Sequence, residues 1–228
     1  MKKCAIIVSA WKAQSTILDC IKSIRAQLPL AGWSYELRLG VDGCNITAVM
    51  LQKNRVPFYW SRDNIGTYVM ANSLIALGPA DIYSRFDADD IMFPEYLKTV
   101  IPVALQYGIS YASYQLQGGH SKPRVGQVTM TAAALDALGG FAEYRCHSDR
   151  DLARRAALLG FDIKAMRQDP RLQTALLSKG MSIHSLTHNA KFGTGSKYRR
   201  EVRDLLAKLR EEGKLKIEPK TVALKCQP

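Results

Sequence analysis

Through the first half of the chain, short apolar runs alternate with segments whose apolar residues recur every three or four positions. This is the pattern of βα units around a mainly parallel sheet. Residues 4–9 (CAIIVS) read as a short buried strand. Ile17, Leu18, Ile21, Ile24 and Leu28 then recur at helical spacing until Pro29 stops the helix. "YELRLGVDG" (35–43) alternates as a second strand and closes on an Asp-Gly turn, and "VPFYW" (56–60) reads as a third. A helix over about 67–77 leads through Gly78-Pro79 into a fourth strand, "DIYSRF", and directly behind that strand stand Asp87, Asp89 and Asp90.

The second half predicts a helix near 95–106, strands near 109–116 and 125–130, and a short helix in "TAAALDALGGF" closed by a glycine pair. A helix over 149–159 ends at Gly160, and "FDIKAM" reads as a further strand. From Ser196 to about Glu212, Val202, Leu205, Leu206 and Leu209 form an apolar stripe among basic residues. The expected architecture is α/β: one Rossmann-like domain over 1–190, with a mainly parallel central sheet and flanking helices, plus a basic helical extension over 191–228. With 47% hydrophobic and 23% charged residues, the 228-residue chain can build a full core, which excludes global disorder. No apolar run approaches the roughly 18 to 20 residues of a membrane-spanning helix. The opening "MKKCAIIVSAWKAQS" lacks a cleavage pattern and reads as the first strand. The five scattered cysteines form no C-x-x-C pair, which points to a reducing, cytoplasmic setting without disulfide framework or zinc site.

Charge sharpens one feature. The chain carries +12, and from Lys191 onward eleven Lys and Arg face five Asp and Glu, a balance of +6. Against that background three acids in four positions, "DADD", repel one another unless a cation or a shared proton offsets them. They are either a solvated turn before the helix that starts near Pro94 or a cation site. Their place behind a strand favours a site, because open α/β sheets bind ligands at the C-terminal ends of their strands.

Several stretches in one order resemble the family 2 glycosyltransferases of the GT-A fold. "IIVSAWK" is similar to that family's opening strand and turn, with Trp11 at the aromatic position; "GVDGC" resembles its second-strand Asp-Asp-Gly-Ser, with Asp42 before the glycine. "RDNIGTYVMANSLIALG" resembles its Asn-x-Gly loop and helix, and "DADD" its Asp-x-Asp-Asp. "GGFAEY" and "SDRDLARRAALLG" are similar to the Gly-Gly-Phe-x-Glu and Glu-Asp-x-Asp-Leu signatures. The match covers roughly 4–190. Lys12 stands where Asn is common, Val41 replaces an acid, and Ser148 replaces the Glu before Asp149.

The resemblance implies a single-domain GT-A enzyme that moves a sugar from a nucleotide-diphosphate sugar, by default a UDP-sugar, to an acceptor hydroxyl with inversion, using Mn2+ or Mg2+. Asp89 would hold the metal, Asp87 the donor ribose or a metal-bound water, and Asp90 the loop. His184 would complete the metal shell, with His188 as its alternative. Ser9, Trp11, Asp42, Arg62, Asn64 and Gly66 would bind the donor, although Trp11 also suits plain core. Asp149 would be the general base; a simple helix cap is its other reading. Asp151 would pair with Arg154 or Arg155.

The acceptor stays open. Lys191, Lys197, Arg199 and Arg200 in the basic tail are candidate contacts to a polyanion, and a hydroxymethylated base in DNA, as in phage-type DNA modification, is one acceptor that fits. A surface polysaccharide or lipid-linked sugar, with peripheral membrane contact by the tail, is the rival. A nucleotidyltransferase or a non-catalytic nucleotide-sugar-binding module are the other classes; "SAWKAQS" lacks the glycines a nucleotidyltransferase places after its first strand.

Overall fold

Cys4 to Val8 are buried on both faces and β-branched or small, as the middle strand of a covered parallel sheet requires. The computed structural model describes residues 1–116, 124–143, 148–172, 182–184, 204, 207, 208, 211, 212 and 216–227; for 113–116, 124–126, 148–150 and 182–184 the backbone alone is described. β1 (Lys2–Ala10) pairs in parallel with β2 (Trp33–Asp42) on one side and with β4 (Ile82–Asp87) on the other. β3 (Phe58–Ser61) continues the parallel set beyond β2. Past β4 the sheet turns antiparallel through β7 (Arg124–Thr131) and β6 (Ile109–Leu116), and ends with β8 (Ser182–His184) and β5 (Ile91–Met92). At the other edge, β9 (Lys225–Gln227) runs antiparallel to β3. The order β5-β8-β6-β7-β4-β1-β2-β3-β9 puts the switch in strand order between β1 and β4.

Seven helices are assigned among the described residues: α1 (Ile17–Arg25), α2 (Asn45–Lys53), α3 (Thr67–Ile75), α4 (Tyr96–Tyr107), α5 (Ala132–Leu138), α6 (Ser148–Leu158) and α7 (Ile163–Arg167). α1 buries Ile17, Cys20, Ile21 and Ile24 as its core face, whereas Leu18 and Leu28 of the expected stripe are exposed and the helix stops at Arg25. α3 is buried along nearly its whole length because it lies against β1 and β2. A side chain at Gly40 of β2 would fall 2.4 Å from the sulfur of Met70, so the bare glycine is what lets α3 seat. Arg38, also on β2, donates from Nη1 to the carbonyls of Leu74, Ile75 and Gly78 at 3.2, 3.2 and 2.8 Å, satisfying the end of that helix.

Several elements differ from expectation: the short strands β5, β8 and β9 were not foreseen, and neither the helical state of "FDIKAM" nor α2 was. "FDIKAM" is not a strand: Asp162 accepts the Ala165 N–H at 2.8 Å as an N-cap, and Ile163 and Met166 bury one face of the single turn of α7. Period-two alternation and an i, i+3 pair coincide over so short a stretch, and the cap decides. α2 was not expected, because Ile46 and Val49 are 66% and 47% exposed and blur the stripe of Thr47, Ala48 and Leu51.

Of the extension, 191–203, 205, 206, 209, 210, 213–215 and 228 lie outside the described residues; 204, 207, 208 and 211 are helical, as expected for the segment ending near Glu212. Residues 216–227 run over the domain rather than as a helix: Ile217 donates to the Leu138 carbonyl at 3.2 Å, Val222 donates to Ser73 Oγ at 2.9 Å, and β9 closes the sheet. The strap crosses Gly139, where a Cβ would meet the Ile217 carbonyl oxygen at 1.8 Å.

Asn72 ties these parts together. From inside α3 its Nδ2 donates to the Phe141 carbonyl at 2.8 Å, its Oδ1 accepts the Phe141 N–H at 3.0 Å, and Nδ2 also reaches the Lys220 carbonyl at 3.5 Å. Asn72→Ala strands both polar groups of Phe141 in the interior, and urea unfolding should show a loss of about 2 to 3 kcal/mol. The strap should exchange its amides faster at the same time.

Candidate functional site

The parallel register aligns the candidate donor residues along one edge. Ser9 lies beside Asp87 across β1 and β4, Ser9 beside Gly40 and Ala10 beside Val41 across β1 and β2, and Asp42 beside Ser61 across β2 and β3. Everything that follows these positions in sequence therefore emerges at the C-terminal edge of the sheet, with the β1/β4 switch point in its midst.

The acidic turn opens there. Asp87 is 28% exposed and forms an ion pair with Arg85, two residues back on the same face of β4. Asp90 is fully buried, its N–H donates to the Asp87 carbonyl at 3.2 Å, and its carboxylate takes the side-chain amide of Gln127. Gln127 lies where the β6–β7 register shifts, Gly126 and Gln127 standing against Ala112, and its φ of 38° lies in the left-handed region. Asp89 is partly exposed. α1 holds the turn from below: Thr16 Oγ1 donates to the Ala88 carbonyl at 3.1 Å and Cys20 Sγ to the Asp87 carbonyl at 3.5 Å. Burial first, then the negative fields of Asp90, Asp87 and Asp89, push the Cys20 thiol well above its ordinary range. The three carboxylates thus converge on one region.

The second wall is the loop after β3. Asp42 is 2% exposed, and its two oxygens accept the N–H groups of Ile65 at 2.7 Å and Gly66 at 3.0 Å. Gly43 has φ 62°, and a Cβ there would sit 2.4 Å from the Asn64 nitrogen, so the loop closes directly over it. Gly66 takes φ 92° as the N-cap of α3, a conformation side-chain-bearing residues avoid. Arg62 and Asn64 are left exposed on this fixed loop. Ser9 Oγ donates to the Thr67 carbonyl at 3.0 Å and so joins β1 to the same helix start.

Trp11 is partly buried against the core, with the Lys12 ammonium 4.6 Å from its ring centroid. Lys12 itself has φ 52°. At Cys44, burial acts to raise the thiol, yet hydrogen bonds from Thr47 and from the backbone at Lys12 and Ile46 outweigh it and lower its pKa. The turns after β1 and β2 are thereby joined.

The far side is set by α6 and β8. Asp149 is the second residue of α6. That helix is anchored by Asp151 and Arg155, both fully buried: Arg155 Nε donates to Asp151 Oδ2 at 2.8 Å, Nη1 to the Leu138 carbonyl at 2.6 Å and Nη2 to the Gly140 carbonyl at 2.8 Å. Burial raises the Asp151 pKa against the opposing pull of Arg155. β8 pairs antiparallel with β5, Ile183 opposite Ile91, which brings the backbone of His184 to the strand that directly follows the acidic turn. His188, Lys191, Lys197, Arg199 and Arg200 lie outside the described residues. Among the described residues no group of three or more His, Cys, Asp or Glu is placed to hold a metal ion, and no helix is long and apolar enough to cross a membrane.

Arg85, Tyr68, Asn72 and Gln127 were not foreseen as parts of the site. The signal for Arg85 was a lone cation in an otherwise apolar strand; the other three act only through contacts distant in sequence.

No protein-family model matches the chain, and the search of curated proteins returns no match. Solved structures do match. Staphylococcus aureus TarS in complex with UDP-GlcNAc is 15% identical with a TM-score of 0.65, the alignment covering 91% of this chain and 66% of that one. The mannosyltransferase PcManGT from Pyrobaculum calidifontis, in complex with GDP-Man and Mn2+, is 14% identical with a TM-score of 0.55 over 69% and 52%. Glucosyl-3-phosphoglycerate synthase from Mycobacterium tuberculosis, in complex with Mg2+ and UDP, is 17% identical with a TM-score of 0.51 over 71% and 67%. The chain spans about half to two thirds of the length of these proteins. Its fold is the GT-A fold of nucleotide-sugar glycosyltransferases, as the order of motifs led us to expect.

The Asp42 contacts yield a direct test. Asp42→Ala removes the acceptor of two loop amides, and hydrogen exchange of 62–66 should rise markedly with a stability loss of about 1 to 3 kcal/mol. Lys12→Gly relieves a left-handed backbone and should stabilise the fold by up to about 1 kcal/mol in the same unfolding assay.

Proposed function

We propose that this chain is a metal-dependent glycosyltransferase that moves a sugar from a nucleotide-diphosphate sugar, a UDP-sugar by preference, to an acceptor hydroxyl with inversion. The observation that supports the reading is that the acidic turn 87–90 and the Asp42-held loop 62–66 both emerge at the C-terminal edge of a GT-A sheet, with β8 paired to the strand that follows the turn. TarS, PcManGT and the synthase were solved with UDP-GlcNAc, GDP-Man and UDP-Glc respectively, the latter two with Mn2+.

The donor set fits the ion. Asp87 and Asp89 offer hard carboxylate oxygens on an open turn, the chemistry that Mg2+ and Mn2+ prefer, and an open turn leaves room for a diphosphate. Asp89 and His184 would hold the metal, which when bound offsets the charge that develops on the leaving diphosphate. Asp87 orients the donor ribose or a metal-bound water. Asp42 fixes the loop so that the bare Gly66 leaves room for the donor while Asn64 and Arg62 present their side chains to it. Trp11 gives a flat face at the end of β1 for the base. Asp149, in the first turn of α6, takes the proton of the acceptor hydroxyl as that oxygen attacks the anomeric carbon and the bond to the diphosphate breaks; the helix N-terminus keeps it ionised. One base on the far side suits direct displacement.

For the acceptor, the +12 charge favours an anion, and a hydroxymethylated base in DNA is the finer reading. Flipping such a base out of a duplex would require phosphate contacts. Duplex binding that falls steeply with salt supports that acceptor; binding no better than to an uncharged polymer removes it.

A melting panel of nucleotide sugars with Mn2+ or with EDTA should give a rise in Tm for one donor class, dependent on metal, because a ligand of the folded state stabilises it. With that donor, Asp149→Asn should leave binding intact and cut transfer by about 10²- to 10⁴-fold. Undiminished transfer would take Asp149 out of the mechanism.

A further inference from the structure

Arg85 is a cation in the interior of β4, its side chain only 9% exposed. It touches two parts of the site. Its guanidinium pairs with Asp87 Oδ1 and lies 5.0 Å from the centroid of the Tyr68 ring. Tyr68 belongs to the first turn of α3, directly behind the Gly66–Thr67 loop end that Ser9 holds. On its other side the Tyr68 ring packs against Phe141, with centroids 5.5 Å apart. Phe141 is the residue clamped by Asn72, and it closes the turn whose Gly140 carbonyl receives Arg155 of α6. Taking a guanidinium out of water costs several kcal/mol unless it is well paired, and an apolar side chain of similar volume would fill the space beside the Tyr68 ring as well or better. The fold alone does not call for a charge at this position.

We propose that Arg85 is a positioning residue that divides the labour of the acidic turn and makes it select a metal–nucleotide complex over a bare metal ion. This rests on the donor reading given above. By engaging Oδ1, Arg85 leaves Asp87 with Oδ2 for ligands, so Asp87 does not chelate a cation through both oxygens and the direct bond falls to Asp89. Its positive charge also lowers the attraction of the turn for an isolated divalent ion, since a fixed cation a few ångströms away repels it in a partly buried setting. A nucleotide diphosphate brings the missing negative charge. The turn is therefore occupied by ion and diphosphate together, and each strengthens the binding of the other.

The test measures binding and needs neither sugar nor acceptor. Free Mn2+ is followed by electron paramagnetic resonance while it is titrated into wild type, Arg85→Met, Arg85→Gln and Arg85→Lys, first alone and then with UDP or GDP. Uptake of Mn2+ by wild type should be weak alone and strengthened by one nucleotide. In Arg85→Met and Arg85→Gln the bare ion should bind about tenfold tighter or more, and the enhancement by nucleotide should shrink by the same order. Arg85→Lys keeps the charge and should stay near wild type for the bare ion. A merely structural role predicts lower Tm with Mn2+ binding unchanged or weaker, and that result in the folded Gln variant would overturn the proposal. If neither UDP nor GDP strengthens Mn2+ uptake by wild type, the donor reading itself falls; if one of them does and the uncharged variants hold the bare ion no tighter, the role of Arg85 alone falls.

Discussion

Three carboxylates within four residues can share one turn only if their mutual repulsion is met by separate partners. Asp87 has the Arg85 guanidinium, and Asp90 is withdrawn into the interior on the amide of Gln127. Asp89 keeps exposure between them. The parallel register does the rest, since it fixes where the turn stands relative to the ends of β1, β2 and β3. The bulge at Gln127 follows from the same constraint: an unfavourable backbone in β7 is kept because the side chain it delivers neutralises the burial of a polar group.

A connected set of contacts runs from that turn to the opposite wall. Asp87, Arg85, Tyr68 and Phe141 follow one another by ion pair, cation–ring contact and ring packing. Asn72 then fixes the Phe141 backbone, and Arg155 takes the carbonyls of Leu138 and Gly140 to secure α6. Both halves of the proposed chemistry, the grip on the donor and the base at Asp149, are thereby referred to one rigid frame. The strap 216–227 packs over the same joint and ends as β9. The end of a basic tail is in this way part of the domain.

Much of this was legible in the sequence. The four parallel strands announced themselves in the short runs 4–9, 35–43, 56–60 and 81–86, because strands covered on both faces leave little room for polar residues. The acidic turn was legible for the opposite reason, as charge where charge is costly. α2 was not, since its solvent face carries Ile46 and Val49. "FDIKAM" misled because a few residues satisfy both periods, and only the Asp162 cap separates them. Asp42 was read as a candidate for the donor base; the structure commits both of its oxygens to the loop amides of Ile65 and Gly66, a pairing across more than twenty positions that no local pattern reveals. Asn72 escaped for that same reason.

The central claim is that the β1/β4 switch point is where the nucleotide diphosphate and its metal bind. Hydrogen–deuterium exchange in the presence of Mn2+ and the nucleotide that raises Tm locates that site directly. The account predicts protection at 62–68 and 87–92, with little change in α2 and β9, whose shared groove near Trp60 and Gln227 contains none of the candidate site residues. Protection confined to 45–52 and 225–227, with 62–68 and 87–92 unchanged, would contradict it.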